Sequence, residues 1–259
     1  MEEKMISTSP VLEIEALSLG TKSNTKLVSN VSFSLGKGES LGLVGESGSG
    51  KSLTLRSILG LLPRGVEQTG GVIKSDVSSA MVFQDPRGAL DPLCPVVKQL
   101  AEVVYYRQKL SRKASHRVAL ELLEMLGLPD SLKRADRYPS QLSGGQCQRV
   151  VIAIALACKP GILLCDEPTT ALDVTVQRQI IETITRLQNE LGFAMVFVTH
   201  NLAIAAALCS KLCVMKEGRI VEQGDTLSVL QNPQNPYTQM LINSVLPLPE
   251  LEGSGQPWS

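Results

Sequence analysis

The feature that most restricts this chain is Gly45-Glu46-Ser47-Gly48-Ser49-Gly50-Lys51-Ser52. It fits the pattern G-x-x-x-x-G-K-[ST]. An apolar stretch, Leu41 to Val44, precedes it, and Leu53 to Leu61 follows with helical character. The run therefore predicts a strand, a glycine-rich turn and a helix start in immediate succession. The glycines let peptide N–H groups turn inward around phosphate oxygens. The helix that follows aims its positive end at the same anion. Lys51 adds a cation for β- and γ-phosphates, and the Ser52 hydroxyl suits Mg²⁺. The expected nucleotide-binding set is Gly45, Glu46, Ser47, Gly48, Ser49, Gly50, Lys51, Ser52 and Leu53.

A second element fits the same chemistry. Ile162-Leu163-Leu164-Cys165 is an apolar strand that ends in Asp166-Glu167. The first acid can hold Mg²⁺, directly or through water. The second can orient the attacking water or take its proton. By itself the pair also fits an ordinary acidic strand end; its weight comes from the phosphate loop.

A third element is unexpected beside these two. Leu142-Ser143-Gly144-Gly145-Gln146 precedes a helical run, Cys147 to Ala157, and Ser143 and Gln146 have S-x-x-Q capping-box spacing. An ordinary helix cap satisfies the pattern. The two glycines also leave the helix N-terminus open to a phosphate. Two anion sites in one chain are explained economically if two chains meet head to tail, each completing the other's nucleotide site.

Around these motifs, short apolar runs alternate with helical stretches, which predicts a mostly parallel, covered sheet. The expected strands are 11–17, 31–35, 40–44, 80–83, 161–165, 194–199, 211–215 and 219–222. Val174 to Leu191 reads as an amphipathic helix ended by Gly192, and Val118, Leu122, Leu123 and Leu126 form an apolar stripe at helical spacing. Residues 85 to about 157 are mainly helical and read as a helical subdomain inserted into the α/β core. The expected domain is single, 11–247, and the proline- and glycine-rich segment 248–259 reads as a loose tail.

Bulk properties narrow the partners. The 25 basic and 25 acidic side chains cancel, so no electrostatic footprint for nucleic acid is present. Met1-Glu2-Glu3-Lys4 does not open a secretory signal. The longest apolar run, Val150 to Cys158, is far below the roughly 20 residues of a membrane helix. Membrane association is thus expected through a partner. The six cysteines form no C-x-x-C pair, and reduced thiols are the expectation.

Taken in order, the motifs resemble the ATP-binding subunits of ABC transporters over nearly the whole chain. They are the loop at 45–52, Gln84 in Val82-Phe83-Gln84-Asp85, Leu142 to Gln146, Asp166-Glu167-Pro168-Thr169-Thr170, Ala171-Leu172-Asp173 and Thr199-His200. The resemblance implies an α/β fold of the P-loop NTPase, ABC-cassette kind. Its mostly parallel sheet core carries an antiparallel β subdomain and an inserted helical subdomain.

The resemblance also implies roles. Lys51 and His200 would contact the γ-phosphate, and Glu167 would be the catalytic base. Gln84 would sense Mg²⁺ and the attacking water, with Ser52, Gln84 and Asp166 serving the metal. Ser143, Gly144, Gly145 and Gln146 would face ATP held by the opposite chain, and Asp173 would reach across the dimer interface. ATP and Mg²⁺ are the implied cofactors, and the implied enzyme is an ATPase. The implied partners are a second ATP-binding subunit, identical or related, two transmembrane permeases and an extracytoplasmic substrate-binding protein. The implied location is peripheral, on the cytoplasmic side of the cell membrane.

Gln84-Asp85-Pro86, Ala89-Leu90-Asp91-Pro92, Ile220 to Gly224 and Asn235-Pro236-Tyr237-Thr238 resemble the branch that imports peptides and nickel. The segment after Tyr237 lacks the cysteines of many peptide-type members. Together with Leu61-Leu62-Pro63 and Val66 to Gly71, this is similar to nickel-type members. Two departures stand out. No aromatic residue occurs from 11 to 30, where the family usually stacks adenine near Leu19, and this predicts appreciable use of GTP. Asn201 also replaces the usual aspartate after His200. Two alternatives fit less well: a soluble cassette acting on nucleic acid or ribosomes, and an exporter subunit. The first would need long coiled-coil arms or tandem cassettes, and residues 85–142 leave no room for such arms.

Overall fold

A computed structural model describes residues 9–134, 136–170 and 172–244. In chain order its elements begin with strands β1 (Leu12–Thr21), β2 (Lys26–Leu35) and β3 (Ser40–Val44), then helix α1 (Lys51–Ile58) and strands β4 (Val66–Ser75) and β5 (Ser79–Val82). Helices α2 (Val96–Gln108), α3 (Arg112–Met125), α4 (Asp130–Arg134) and α5 (Gly144–Ala157) follow. Then come β6 (Ile162–Asp166), α6 (Val174–Leu191), β7 (Ala194–Thr199), α7 (Leu202–Leu208), β8 (Lys211–Lys216), β9 (Arg219–Asp225), α8 (Thr226–Gln231) and α9 (Pro236–Ser244).

The larger sheet has the order β5-β6-β7-β3-β8-β9. Its first five strands are parallel, and β9 closes the edge antiparallel to β8. Every residue of β3, β6 and β7 is buried. Strands covered on both faces read as continuous apolar runs, which is why the sequence reveals them plainly. The smaller sheet, β2-β1-β4, is antiparallel. Its apolar side joins Leu12, Ile14, Leu17, Leu19 and Phe33 to the core of the larger sheet.

Strand β4 was not among the expected strands; the sequence suggested only a branch marker there. Its residues are intermediate or exposed throughout, and Gly70-Gly71 break any alternation. The segment pairs because β1 offers an open edge. Residues 84–95 are turns, so the helical layer begins at Val96 and not directly after Asp85. Helix α1 starts at Lys51, two residues earlier than the sequence suggests, because Gly50 caps it in the left-handed conformation. Helices α2 to α5 lie between β5 and β6 in the chain, and share an apolar cluster that includes Leu100, Val104, Leu123 and Val150. Val118 and Leu122 of the apolar stripe pack at that cluster's margin. Among the described residues no helix is long and apolar enough to cross a membrane. All six cysteines are free. The segment read as a loose tail, 248–259, lies outside the described residues.

Candidate functional site

The turn between β3 and α1 takes backbone shapes that only glycine adopts freely. Gly45, Gly48 and Gly50 have φ of 150°, 81° and 100°. A Cβ on Gly45 would fall 2.1 Å from the Met215 carbonyl oxygen, so the loop can pass β8 only as glycine. A Cβ on Gly48 would meet nothing within 4 Å, so this part of the loop faces open space. The Lys51 ammonium is folded back into the loop. It donates to the carbonyl oxygens of Gly45 (2.8 Å) and Glu46 (2.7 Å) and lies 3.4 Å from the Ser49 hydroxyl. Burial lowers the Lys51 pKa, opposed by the carboxylates of Glu167, Asp166 and Glu46.

Across the sheet, β6 delivers the acid pair. Asp166 is 1% exposed, and its Oδ1 accepts a hydrogen bond from the Ser52 hydroxyl at 2.6 Å. Burial pushes the Asp166 pKa up; Ser52, Arg56 and Lys51 pull against this, and Glu167 adds to it. Glu167 has a positive φ of 46°, a conformation sparsely populated outside glycine. Its peptide N–H donates to the Val198 carbonyl of β7 at 3.1 Å, which holds the chain in that shape. The Thr170 hydroxyl donates to Glu167 Oε2 at 2.8 Å, and His200 Nδ1 stands 3.1 Å from the same oxygen. Oε1 has no hydrogen-bond partner among the described residues.

Lys51, Ser52, Asp166, Glu167 and His200 thus gather at the carboxyl ends of β3, β6 and β7. The crevice at that edge is where open α/β sheets bind ligands. Gln84 lies exposed beyond the end of β5. Arg87, three residues on, donates to the Leu142 carbonyl at 3.2 Å and ties this segment to the Ser143 turn.

That second turn is self-contained. Ser143 Oγ accepts from the Gln146 N–H at 3.3 Å, and Gln146 Oε1 accepts from the Ser143 N–H at 3.0 Å, completing the capping box. A Cβ on Gly145 would lie 2.5 Å from Val176 Cγ1, and one on Gly144 would lie 3.5 Å from Leu172. These glycines therefore also admit the start of α6. Asp173 has work within its own chain, since its Oδ1 accepts from the Val176 N–H at 2.9 Å and caps α6. No hydrogen bond joins Ser143, Gly144, Gly145 or Gln146 to the loop at 45–52 among the described residues.

The structure accounts for one departure and adds to the other. Asn201 Oδ1 accepts from the N–H groups of Ala203 and Ile204 and caps α7, a position that asparagine and aspartate fill equally well. Leu19 is fully buried in the core and offers no surface to a base. Two contributors escaped the sequence analysis. Thr170 was seen only as part of a motif, with nothing to suggest that its hydroxyl holds Glu167. Tyr237 was seen only as a branch marker; its hydroxyl accepts a hydrogen bond from the Glu46 N–H at 3.1 Å, across 191 residues of chain. No local sequence signal encodes such a contact.

Comparisons with known proteins agree with this geometry. Residues 28–170 match the ABC transporter family model, and residues 221–256 match the C-terminal region of oligopeptide/dipeptide transporters. The oligopeptide transport ATP-binding protein OppD of Bacillus subtilis is 39% identical over 97% of this chain and 75% of its own length. The glutathione import ATP-binding protein GsiA of Pectobacterium atrosepticum is 38% identical over 98% of this chain, which spans 45% of that longer protein. Among solved structures, a dimeric ATP-binding cassette in a post-hydrolysis state with ADP and phosphate is 29% identical, with a TM-score of 0.72 over 83% of this chain and 98% of its own. The structure of cbiO1 from Clostridium perfringens, part of the ABC transporter complex cbiONQ, reaches a TM-score of 0.75 at 28% identity, over 86% of this chain and 91% of its own. With that family model covering more than half its length, this chain belongs to the ATP-binding subunits of ABC transporters.

Proposed function

We propose that this chain is the ATP-hydrolysing subunit of a peptide importer, working in a pair of cassettes on the cytoplasmic face of a membrane. The observation that carries the reading is the convergence of Lys51, Ser52, Asp166, Glu167 and His200 beside a glycine loop that faces open space. Of the two cargo classes, peptides stand ahead of nickel, supported by the match at 221–256 and by the oligopeptide and glutathione relatives. One cassette would span 11–247, with the helical part at about 85–157 carrying the Ser143 turn. Two permeases and an extracytoplasmic binding protein would complete the complex.

The residues present fit ATP with Mg²⁺. A hydroxyl and a carboxylate, Ser52 and Asp166, already share one hydrogen bond, and both are oxygen donors of the kind a hard cation takes. Asp166 is buried and held by burial toward its neutral form, which a divalent cation would reverse. Held by Ser52 and Asp166, Mg²⁺ would supply neutralisation of the phosphate charge. Lys51 must exchange its two carbonyl partners for phosphate oxygens, while the loop's peptide N–H groups bind the remaining oxygens. Glu167 Oε1 takes the proton of the attacking water, with Oε2 held in place by Thr170. His200 and Gln84 position the γ-phosphate and the water. Ser143, Gly144, Gly145 and Gln146 of the facing cassette close over the same phosphate, and Asp173 contributes at that interface.

The test is purification from membranes with the attached subunits, followed by ATP hydrolysis in the presence of dipeptides, oligopeptides or nickel chelates. Co-purifying permeases and peptide-stimulated hydrolysis are expected. A complex stimulated only by nickel chelate overturns the cargo; one with no magnesium-dependent hydrolysis overturns the enzyme.

A further inference from the structure

The segment from β9 to α9 is fastened at several points, and its last fastening reaches the phosphate loop. Glu222 of β9 accepts hydrogen bonds from the N–H groups of Gln234 (2.7 Å) and Asn235 (3.0 Å). Burial pushes the Glu222 pKa up, yet these bonds and the Thr238 hydroxyl leave it below its ordinary value, so the anchor is charged at neutral pH. Asn235 Oδ1 in turn accepts from the Tyr237 N–H at 2.9 Å, which fixes the first turn of α9. The Tyr237 ring is 6% exposed and packs in one apolar cluster with Val44, Leu202 and Val214. Val44 is the residue immediately before the loop. The Lys216 ammonium stands over the ring, 4.8 Å from its centroid. The hydroxyl then accepts the Glu46 N–H at 3.1 Å.

A loop with three glycines at positive φ is costly to order, because glycine loses more conformational freedom than any other residue. An acceptor bonded to the loop's second residue removes part of that freedom before any ligand arrives. We propose that Tyr237 is a positioning residue for ATP, whose hydroxyl pre-orders the phosphate loop through the Glu46 peptide and so links the C-terminal region to nucleotide affinity. The proposal rests on the ATP reading of the loop. It places Tyr237 outside the reacting atoms, so its effect falls on binding: KM for ATP rises when the hydroxyl is lost, and kcat holds.

The experiment compares the full chain with Tyr237→Phe, which removes only the hydroxyl, and with Val229→Ala, which thins the same apolar cluster without touching the loop. Binding is read by displacing a fluorescent ATP analogue with ATP, and order in the loop by amide hydrogen exchange at Glu46. Tyr237→Phe is expected to weaken ATP binding roughly three- to tenfold, the range of one neutral hydrogen bond, and to speed exchange at Glu46. Val229→Ala should lower the melting temperature and leave ATP affinity within about twofold of the parent. ATP binding by Tyr237→Phe within twofold of the parent overturns the proposal. So does a loss in Val229→Ala as large as that in Tyr237→Phe. Should Tyr237→Phe not fold, Asn235→Ala, which withdraws the acceptor of the Tyr237 N–H, is read by the same criteria. A parent protein that binds no ATP is a different failure, since it removes the ATP reading itself.

Discussion

The turn before α1 and the turn before α5 both set a helix N-terminus behind a glycine-containing turn, yet they are assembled differently. The first draws on residues 45–52, 166–170, 200, 215 and 237, and five parts of the chain must meet before it exists. It holds a buried cation folded onto carbonyls and a glutamate at positive φ. The second has its capping bonds within Ser143 to Gln146 and takes from elsewhere the close approach of α6 and the Arg87 bond to the Leu142 carbonyl. On the proposed ATP reading, the first site rearranges to take its ligand, because Lys51 is bonded to the Gly45 and Glu46 carbonyls. The other is already shaped as a cap. A half-site that rearranges suits capture and chemistry, whereas a rigid half-site suits closing over a phosphate already held elsewhere.

The comparison can be broken most decisively at Glu167. Glu167→Gln keeps the size of the side chain and an oxygen near Thr170, but removes the carboxylate that accepts the proton. Turnover by the paired cassettes should fall roughly 10²- to 10⁴-fold, while ATP binding by the single chain persists. Steady-state hydrolysis beside equilibrium binding checks both; undiminished turnover removes Glu167 as the base.

The next effect lies in the rigid half. A methyl on Gly145 would sit 2.5 Å from Val176 Cγ1, and a β-branched side chain in a helix has little rotamer freedom with which to move away. The clash in Gly145→Ala should cost about 1–3 kcal/mol. A helix-propensity gain of up to about 1 kcal/mol offsets part of it, leaving a net loss of up to about 2 kcal/mol. Paired turnover should drop while single-chain ATP affinity stays near the parent value. If single-chain affinity falls as well, the two half-sites are not independently built. Ser143→Ala follows at about 1 kcal/mol, the usual worth of an N-cap. Thermal unfolding measures the loss, and ATP affinity of the unpaired chain again should not move.

The same contrast governs what could be read in advance. The buried parallel strands, the glycine loop, the acid pair and the capping box at Ser143 are local patterns, and each was legible. So was the glycine stop of α6 at Gly192, whereas Asp173, expected only at a dimer interface, also caps that helix. Strand β4 was hidden because a solvated edge strand with paired glycines carries no apolar alternation. The inward fold of Lys51, the positive φ of Glu167 and the Tyr237–Glu46 bond were hidden for another reason. Each depends on where distant segments arrive, and a single sequence records such meetings only as unremarkable residues.

The smallest expected effect concerns Asn201, where the family resemblance leads one to expect aspartate. By sequence position alone, a charge added beside His200 is expected to disturb the site. The geometry says otherwise, because the side chain at 201 points its oxygen at the Ala203 and Ile204 N–H groups and is occupied in capping α7. Aspartate accepts the same two bonds, and its negative charge lies at a helix N-terminus, where it is favoured. Asn201→Asp should therefore change stability by no more than about 0.5 kcal/mol, with the sign toward stabilisation. Turnover should stay within about twofold of the parent, because the side-chain oxygen at 201 is engaged in capping α7. A large fall in turnover with unchanged thermal unfolding would show that the missing charge at 201 matters to the chemistry, and that the rearranging half-site extends one residue beyond His200.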